Sequence, residues 1–93
     1  MKSIIQDDLT RCYVCGCQRN IEIHHVMSGT ANRKLSYRYQ LVVALCADHH
    51  RGSIGVHSDY IMNERLRKDA QRAFEKIYGH SNWMKLFRKN YLD

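Results

Sequence analysis

Residues 44–57, ALCADHHRGSIGVH, carry the pattern that decides the fold of this chain. Cys46 is followed after two residues by two adjacent histidines, and a third histidine, His57, comes seven residues after the second of them. An earlier stretch, IEIHHV at residues 21–26, contains another adjacent pair. Because four of the six histidines stand in pairs, we expect the two members of each pair to have different roles.

Two short pairs of cysteine and histidine residues make a complete ligand set for a structural zinc ion. Cys12 and Cys15 form a C-x-x-C pair, and Cys46 and His49 form a C-x-x-H pair. Both ligands of such a pair can reach one ion from a single tight turn, and three thiolates with one imidazole are a tetrahedral zinc set. The alternative is that the cysteines are small buried apolar residues. Cys17 is a spare candidate for the place of Cys15, and is otherwise a free thiol beside the site.

The second histidine of the later pair, His50, is available for another role if its neighbour binds zinc. His24 lies near the end of a predicted strand, and together with His50 it can offer nitrogen ligands to a second metal ion. His25 would then stand beside that ion as an unligated base with a pKa near neutrality. His57 closes this second site if the glycine-containing loop before it folds back. The alternative for each histidine is a surface or hydrogen-bonded residue.

The hydrophobic pattern around these motifs predicts an α+β fold. Residues 21–27 alternate apolar and polar side chains, as a strand does, and the β-branched run LVVAL at residues 41–45 is short enough to be a buried strand. Residues 28–39 lack periodicity and contain Gly, Ser and Asn, so a loop is predicted between the strands. Residues 2–11 are expected to form an edge strand or a lead-in turn.

Helices are predicted for the C-terminal part of the chain. After one or two helical turns at ADHHR, Ser58 is the predicted N-cap of a long helix through Tyr78, with Gly79 as its stop. Ser81 is the predicted cap of a last helix, whose aromatic residues we interpret as core packing. The predicted apolar stripe of the long helix consists of Ile61, Leu66, Ala70, Ala73, Phe74 and Ile77.

The 93 residues are interpreted as one domain, in which residues 12–57 form the metal-binding core and residues 58–93 a helical extension. A domain this small buries little apolar surface, so a structural metal is a natural means of stabilisation. No apolar run approaches the roughly 18 residues of a membrane span, and the N-terminal MKSIIQDDL lacks the apolar core of a signal peptide. We therefore expect no membrane association and a cytoplasmic location, where thiols stay reduced.

The net charge of +6 is consistent with a partner that carries phosphate, although many small proteins are basic for other reasons. Between the predicted strands, Arg33, Lys34 and Arg38 have no acidic residue among them, and we expect them to contact the backbone phosphates of a nucleic acid without sequence preference. Some basic residues of the long helix are also candidates for phosphate contact, but acidic residues are interspersed among them, so a solvated face is an equally good interpretation. The basic residues of this helix are Arg65, Arg67, Lys68 and Arg72.

The order of these motifs resembles that of the HNH endonucleases, which have a ββα-metal core. The resemblance covers residues 12–57 and consists of a C-x-x-C pair, HH at a strand end, a loop, and a strand running into LC-x-x-HH. The basic C-terminal helix and the closing KNYLD are similar to those of small phage or prophage HNH proteins, among which the RecA-dependent recombination-enhancement nucleases are a related group. The resemblance implies a phage- or prophage-encoded protein of a bacterial host, with a phage or recombination protein as a candidate partner.

The resemblance also implies an activity, the hydrolysis of a DNA phosphodiester with a single metal ion. In the family pattern His25 is the general base that activates water. His24 and His50 are ligands of the catalytic divalent ion (Mg²⁺, Mn²⁺, Ni²⁺ or Zn²⁺), with His57 as a third ligand. The four predicted zinc ligands match the zinc knuckle that many family members use.

One position departs from the family pattern. The middle Asn, which orients the base histidine, is expected near the start of the second strand, where Gln40 and Leu41 stand instead. Asn32 in the preceding segment, or Gln40 with its longer amide, is the candidate replacement. Three functions are therefore compared: a DNA nuclease, a zinc-stabilised DNA-binding module without activity, and a protein-interaction module that docks through its C-terminal helices.

Overall fold

The fold is a small α+β fold, as the hydrophobic pattern predicts. The computed structural model describes residues 1–92. β1 and β2 form a two-stranded antiparallel sheet in which Ile21 pairs with Cys46 and His25 pairs with Val42. In chain order the elements are β1 (Ile21–His25), α1 (Thr30–Arg38), β2 (Val42–Cys46), α2 (Ala47–His50), α3 (Tyr60–Tyr78) and α4 (His80–Phe87).

The prediction of a loop at residues 28–39 is wrong, because α1 occupies most of this segment. Ser36 is fully buried, and its hydroxyl accepts a hydrogen bond from the Met27 N–H at 3.1 Å and donates one to the Met27 carbonyl at 3.0 Å. Leu35 and Tyr39 pack against the core beside it. A buried serine thus stands where an apolar residue is usual, so the sequence shows no apolar stripe although the segment is helical.

The starts of the two C-terminal helices also differ from the prediction. Asp59, not Ser58, caps α3, and its carboxylate accepts a hydrogen bond from the Met62 N–H at 3.1 Å. α4 begins directly after Gly79, so Ser81 lies inside the helix and not at its cap. Serine and aspartate are similarly good N-caps, so the succession of Ser58 and Asp59 leaves the first residue of α3 undecided at the level of sequence.

The core lies between β2, α3 and α4. All five residues of β2 are buried, and the rings of Phe74 and Trp83 lie 5.5 Å apart in the fully buried centre. Ile61 and Ile77 do not belong to the buried face of α3, since they are 72% and 57% exposed. Gln71 is fully buried instead, because its amide oxygen accepts a hydrogen bond from a backbone N–H of the C-terminal segment. Among the described residues, no helix combines the length and hydropathy needed to cross a membrane.

The N-terminal segment forms turns along the outer side of β2. Gln6 accepts a hydrogen bond from the Ala44 N–H at 2.8 Å through its side-chain oxygen, and the Tyr13 N–H donates to the Ala44 carbonyl at 2.7 Å. These bonds hold the cysteine-containing turn at residues 12–17 against the strand that ends at Cys46.

Candidate metal centres

Cys12, Cys15, Cys46 and His49 form a cluster in which the four ligand atoms all lie within 4.8 Å of one another. The His49 Nδ1 is 3.2 Å from the Cys46 Sγ and 3.7 Å from the Cys12 Sγ. The Sγ atoms of Cys15 and Cys46 are 3.9 Å apart. Zinc bonds of about 2.3 Å to sulfur and about 2.0 Å to nitrogen separate tetrahedral ligand atoms by roughly 3.5–3.8 Å. These residues are therefore close enough together to bind a metal ion such as zinc.

The local backbone structure positions both ligand pairs of this cluster. The C-x-x-C turn closes with a hydrogen bond of 2.8 Å from the Gly16 N–H to the Cys12 carbonyl, and Gly16 takes a φ of 77° that favours glycine. β2 runs directly into α2, which places Cys46 and His49 one helical turn apart. Burial raises the pKa of the Cys12 thiol, but hydrogen bonds from backbone N–H groups lower it overall and favour the thiolate that binds zinc.

Cys17 lies beside the cluster and is not one of its four members. Its thiol is half-buried and donates to the Arg19 carbonyl at 3.8 Å. Its own carbonyl accepts a hydrogen bond from the Cys12 N–H at 2.8 Å. The backbone of Cys17 thus supports the turn, while the ligand position belongs to Cys15.

A second group, called here the three-histidine cluster, consists of His24, His50 and His57, whose ligand atoms also lie within 4.8 Å of one another. Their ring centroids are 5.0–5.4 Å apart, and all three residues line a cavity of about 430 Å³. Three protein ligands with a further position open to solvent are typical of catalytic metal sites. Imidazole ligands suit zinc and nickel better than magnesium.

The environment of His24 indicates whether the three-histidine cluster fits a metal ion. The residue is only 6% exposed, and its Nε2 is buried without a hydrogen-bond partner among the described residues. Burial, followed by the charges of His50 and His57, lowers the pKa of His24 to about 3, so its imidazole is neutral. A buried nitrogen without a partner is costly, and a neutral imidazole nitrogen is a common metal ligand. The residues present therefore fit a bound metal ion.

Glu22 orients His50, although no motif in the sequence points to this residue. Its carboxylate accepts a hydrogen bond from the His50 Nδ1–H at 2.8 Å and pairs with Arg51 at 2.8 Å. The hydrogen bond from His50, together with the charge of Arg51, lowers the pKa of Glu22. Because an ionised carboxylate only accepts hydrogen bonds, the His50 Nδ1 carries the proton and its Nε2 is left for a metal. The sequence does contain a signal for the position of Glu22. Side chains two residues apart in a strand point to the same side, so Glu22 and His24 lie on one face of β1.

His57 reaches the three-histidine cluster because residues 51–56 fold back over α2. The Val56 N–H donates to the His49 carbonyl at 2.9 Å, and the Val56 side chain is buried. Gly55 permits this close approach, since a Cβ at this position would lie 2.9 Å from backbone atoms of His49 and His50. The fold-back on which the sequence-based role of His57 depends is therefore present in the structure.

His25 ends β1 and lines the same cavity as the three-histidine cluster. The chain bends at Val26, directly after the strand, so the successive side chains of His24 and His25 border one cavity. Burial, and then the positive charge of Arg33, lowers the pKa of His25. The imidazole is therefore neutral near neutral pH and able to accept a proton.

The two amides proposed to orient His25 do not line this cavity. Gln40 is exposed, takes a φ of 60° and borders a different cavity together with Tyr37 and Val42. Asn32 is partly buried on α1. The ring of His25 lies beside that of Tyr37. The two ring centroids are 6.4 Å apart, and the two ring planes are 26° from parallel.

The basic residues Arg33, Lys34 and Arg38 lie on α1, not in the predicted loop, and all three are exposed. Arg33 lines the cavity beside His25 and the three-histidine cluster. On α3, by contrast, Arg67 pairs with Glu64 at 3.0 Å, and a second ion pair follows further along the same helix. Among the described residues, Arg33 on α1 is therefore the Lys or Arg side chain that lines the cavity.

The structure brings together every ligand that the sequence predicts for the two metal sites, and it leaves both candidate amides outside the cavity. The two clusters meet at α2, where His49 belongs to one and His50 to the other. No protein-family model, curated protein or solved structure matches the chain. The chemistry of the cavity is therefore the basis for a functional assignment.

Proposed function

We propose that this protein is a metal-dependent endonuclease of the HNH type that hydrolyses DNA phosphodiester bonds. The observation that carries the proposal is that His25, which belongs to neither cluster, borders the same cavity as the three-histidine cluster. A metal site with a neutral base beside it is the minimum that hydrolysis by an activated water requires. The chain order β1, β2, α2 supports a ββα-metal core, with α1 inserted between the strands.

The residues of the cavity divide into distinct roles in this proposal. His24, His50 and His57 would hold a divalent ion, which supplies positive charge that stabilises the phosphate and the leaving 3′ oxygen. His25 accepts a proton from the water that attacks phosphorus, while the bond between phosphorus and the 3′ oxygen breaks. Arg33 contacts a phosphate and orients the backbone in the cavity.

The candidate zinc site supports the proposal through its position. Zinc bound by Cys12, Cys15, Cys46 and His49 would fix the short helix α2 against the end of β2. A four-residue helix has too few hydrogen bonds to be stable by itself, so its orientation depends on such a contact. Because His50 follows His49 directly, holding α2 also holds one ligand of the three-histidine cluster.

A supercoiled-plasmid assay tests the proposal. The zinc-loaded protein is incubated with plasmid and added Mg²⁺, Mn²⁺ or Ni²⁺, beside the variants His25→Ala and His80→Ala. His80 is a matched control, because it is a histidine that pairs with Glu75 and lines no part of the cavity. The wild type and His80→Ala should convert the plasmid to open-circular or linear form. His25→Ala should be slower by about 10²- to 10⁴-fold, which is the usual contribution of a general base.

Equal cleavage by His25→Ala and the wild type would contradict the role of His25 and indicate a contaminating nuclease. A zinc-stabilised DNA-binding module without activity is the second candidate, and the position of Asn32 and Gln40 outside the cavity favours it. Retained DNA binding without cleavage in the presence of any of the three ions would support this second candidate.

A further inference from the structure

Tyr37 is an exposed aromatic residue beside the proposed general base, and the hydrolysis described above does not use it. Its side chain is 67% exposed although an aromatic ring has much to gain from burial. We propose that Tyr37 stacks on an unpaired nucleobase, so that the substrate of the cavity is single-stranded DNA or DNA with unpaired nucleotides. This inference rests on the proposed function, and it specifies the substrate class of the same cavity.

The geometry of Tyr37 leaves a ring face available for stacking. Its ring plane is 26° from that of His25, and the two centroids are 6.4 Å apart. Stacked bases are roughly 3.4 Å apart, so the two rings are not stacked directly on each other. Because the two ring centroids are 6.4 Å apart, a base on Tyr37 would lie in the neighbourhood of His25, where the proposed hydrolysis takes place.

The backbone that carries Tyr37 is held against the core, which limits the movement of an aromatic stacking surface. The preceding residue, Ser36, is fully buried and hydrogen-bonded twice to Met27. Leu35 packs against the core, so the inner face of α1 is held while its outer face carries Tyr37. A ring on a fixed backbone loses less conformational freedom when a base stacks on it than a ring on a mobile segment does.

The cations of α1 lie where a DNA strand that reaches Tyr37 would place its phosphates. Arg33 and Lys34 precede Tyr37 by four and three residues and therefore share its face of the helix, and Arg38 follows it directly. α1 contains no acidic residue, so nothing on this helix opposes an anionic strand. An aromatic ring beside a row of cations is the typical surface for single-stranded nucleic acid.

Duplex DNA fits this surface less well for a physical reason. In a duplex the faces of the bases are covered by their neighbours, and exposing one requires unstacking and unpairing at a cost of a few kcal/mol. Tyr37 can therefore contribute to the binding of a single strand but not of an intact duplex. The cations of α1 contribute to both, because they contact phosphates only.

Fluorescence anisotropy with a labelled DNA oligonucleotide, single-stranded or annealed to its complement, tests the inference. The full-length zinc-loaded chain is used without an added second metal, and a gel confirms that the DNA stays intact. Tyr37→Ala should lower the affinity for the single strand by about fivefold to 150-fold and leave duplex affinity unchanged. Tyr37→Trp should restore the affinity. Tyr60→Ala is the matched control, because Tyr60 is similarly exposed, at 72%, but lies at the start of α3 and not on α1 with its cations.

Each outcome separates this inference from the proposed nuclease activity. An unchanged single-strand affinity in Tyr37→Ala, or an equal loss for duplex, would overturn the stacking role. Tighter binding of an RNA strand of the same sequence would overturn DNA as the partner. If the single strand is bound through Tyr37 but no DNA is ever cleaved, the stacking role stands and the nuclease assignment fails. Far-ultraviolet circular dichroism identical to that of the wild type shows that Tyr37→Ala is folded.

Discussion

The carboxylate of Glu22 is expected to control how tightly the three-histidine cluster binds a metal ion. Glu22 accepts the Nδ1 proton of His50 at 2.8 Å, and Glu22→Ala removes this acceptor. Carboxylates placed behind a ligating histidine typically account for about 10- to 100-fold in metal affinity. Because the Glu22 side chain is 29% exposed, water partly replaces the lost contact, and we expect the lower part of this range, about 10- to 30-fold. Glu22→Gln keeps an oxygen acceptor without charge, and should lose only about three- to fivefold.

Titration calorimetry of Ni²⁺ into the zinc-loaded protein measures this effect, with the zinc content checked before and after. Glu75→Ala is the matched control, since Glu75 also accepts a hydrogen bond from a histidine Nδ1, that of His80, at 2.7 Å. Long-range ¹H–¹⁵N spectra of the metal-free histidine cluster should show an Nδ1–H tautomer for His50 that is lost in Glu22→Ala. Wild-type nickel affinity in Glu22→Ala, or an unchanged His50 tautomer, would refute the orienting role of Glu22. Absence of nickel binding by the wild type would refute the metal site itself.

Three further predictions concern the zinc site, the folded-back loop and a surface carboxylate. Cys46→Ser should abolish zinc binding and cooperative unfolding as followed by circular dichroism, because structural zinc contributes about as much free energy as a small domain's whole stability; Cys17→Ser should retain both. Gly55→Ala should lower the free energy of unfolding by about 1–3 kcal/mol in urea titrations and weaken nickel binding, since its Cβ would lie 2.9 Å from the α2 backbone; unchanged values for both would contradict the packing argument. Burial raises the pKa of Glu75, but hydrogen bonds from Gln71 and His80 outweigh burial and lower this pKa below its ordinary 4.5. The ionised Glu75 therefore stabilises the fold above pH 4.5. The difference in melting temperature between the wild type and Glu75→Gln should be largest above this pH and should vanish as the pH falls through the lowered pKa. A difference that persists in acid would contradict this role of Glu75.

Short-range spacing is sufficient to predict the four residues of the candidate zinc cluster. A C-x-x-C pair and a C-x-x-H pair each bring two ligands to one point through a single turn, so only the meeting of the two turns needed the fold. That meeting follows from the β2 edge, where the Tyr13 N–H bonds to the Ala44 carbonyl. The strands were predictable for a similar reason, because the alternation of residues 21–25 and the β-branched run of β2 are local signals.

The failures lie where a local signal is absent or equivocal. The pattern of α1 predicts a loop because Ser36 occupies its buried position. A hydroxyl is acceptable there only because Met27 offers both a donor and an acceptor. The predicted cap of α3 is one residue too early, because Ser58 and Asp59 are both good N-caps and the structure uses Asp59. Neither Asn32 nor Gln40 reaches the cavity, and nothing in their spacing reveals this, because it depends on how α1 lies against the sheet.

The sequence by itself determined the α+β class, the two strands and the two short pairs of candidate zinc ligands, because each depends on a pattern of residues a few positions apart. Only the tertiary structure decided that His24 and His25 share one cavity, that Gly55 lets His57 return to His50, and that Glu22 stands behind His50. These relations join residues that are distant along the chain. They depend on the direction of side chains after a bend and on the approach of backbones, which residue order does not encode locally.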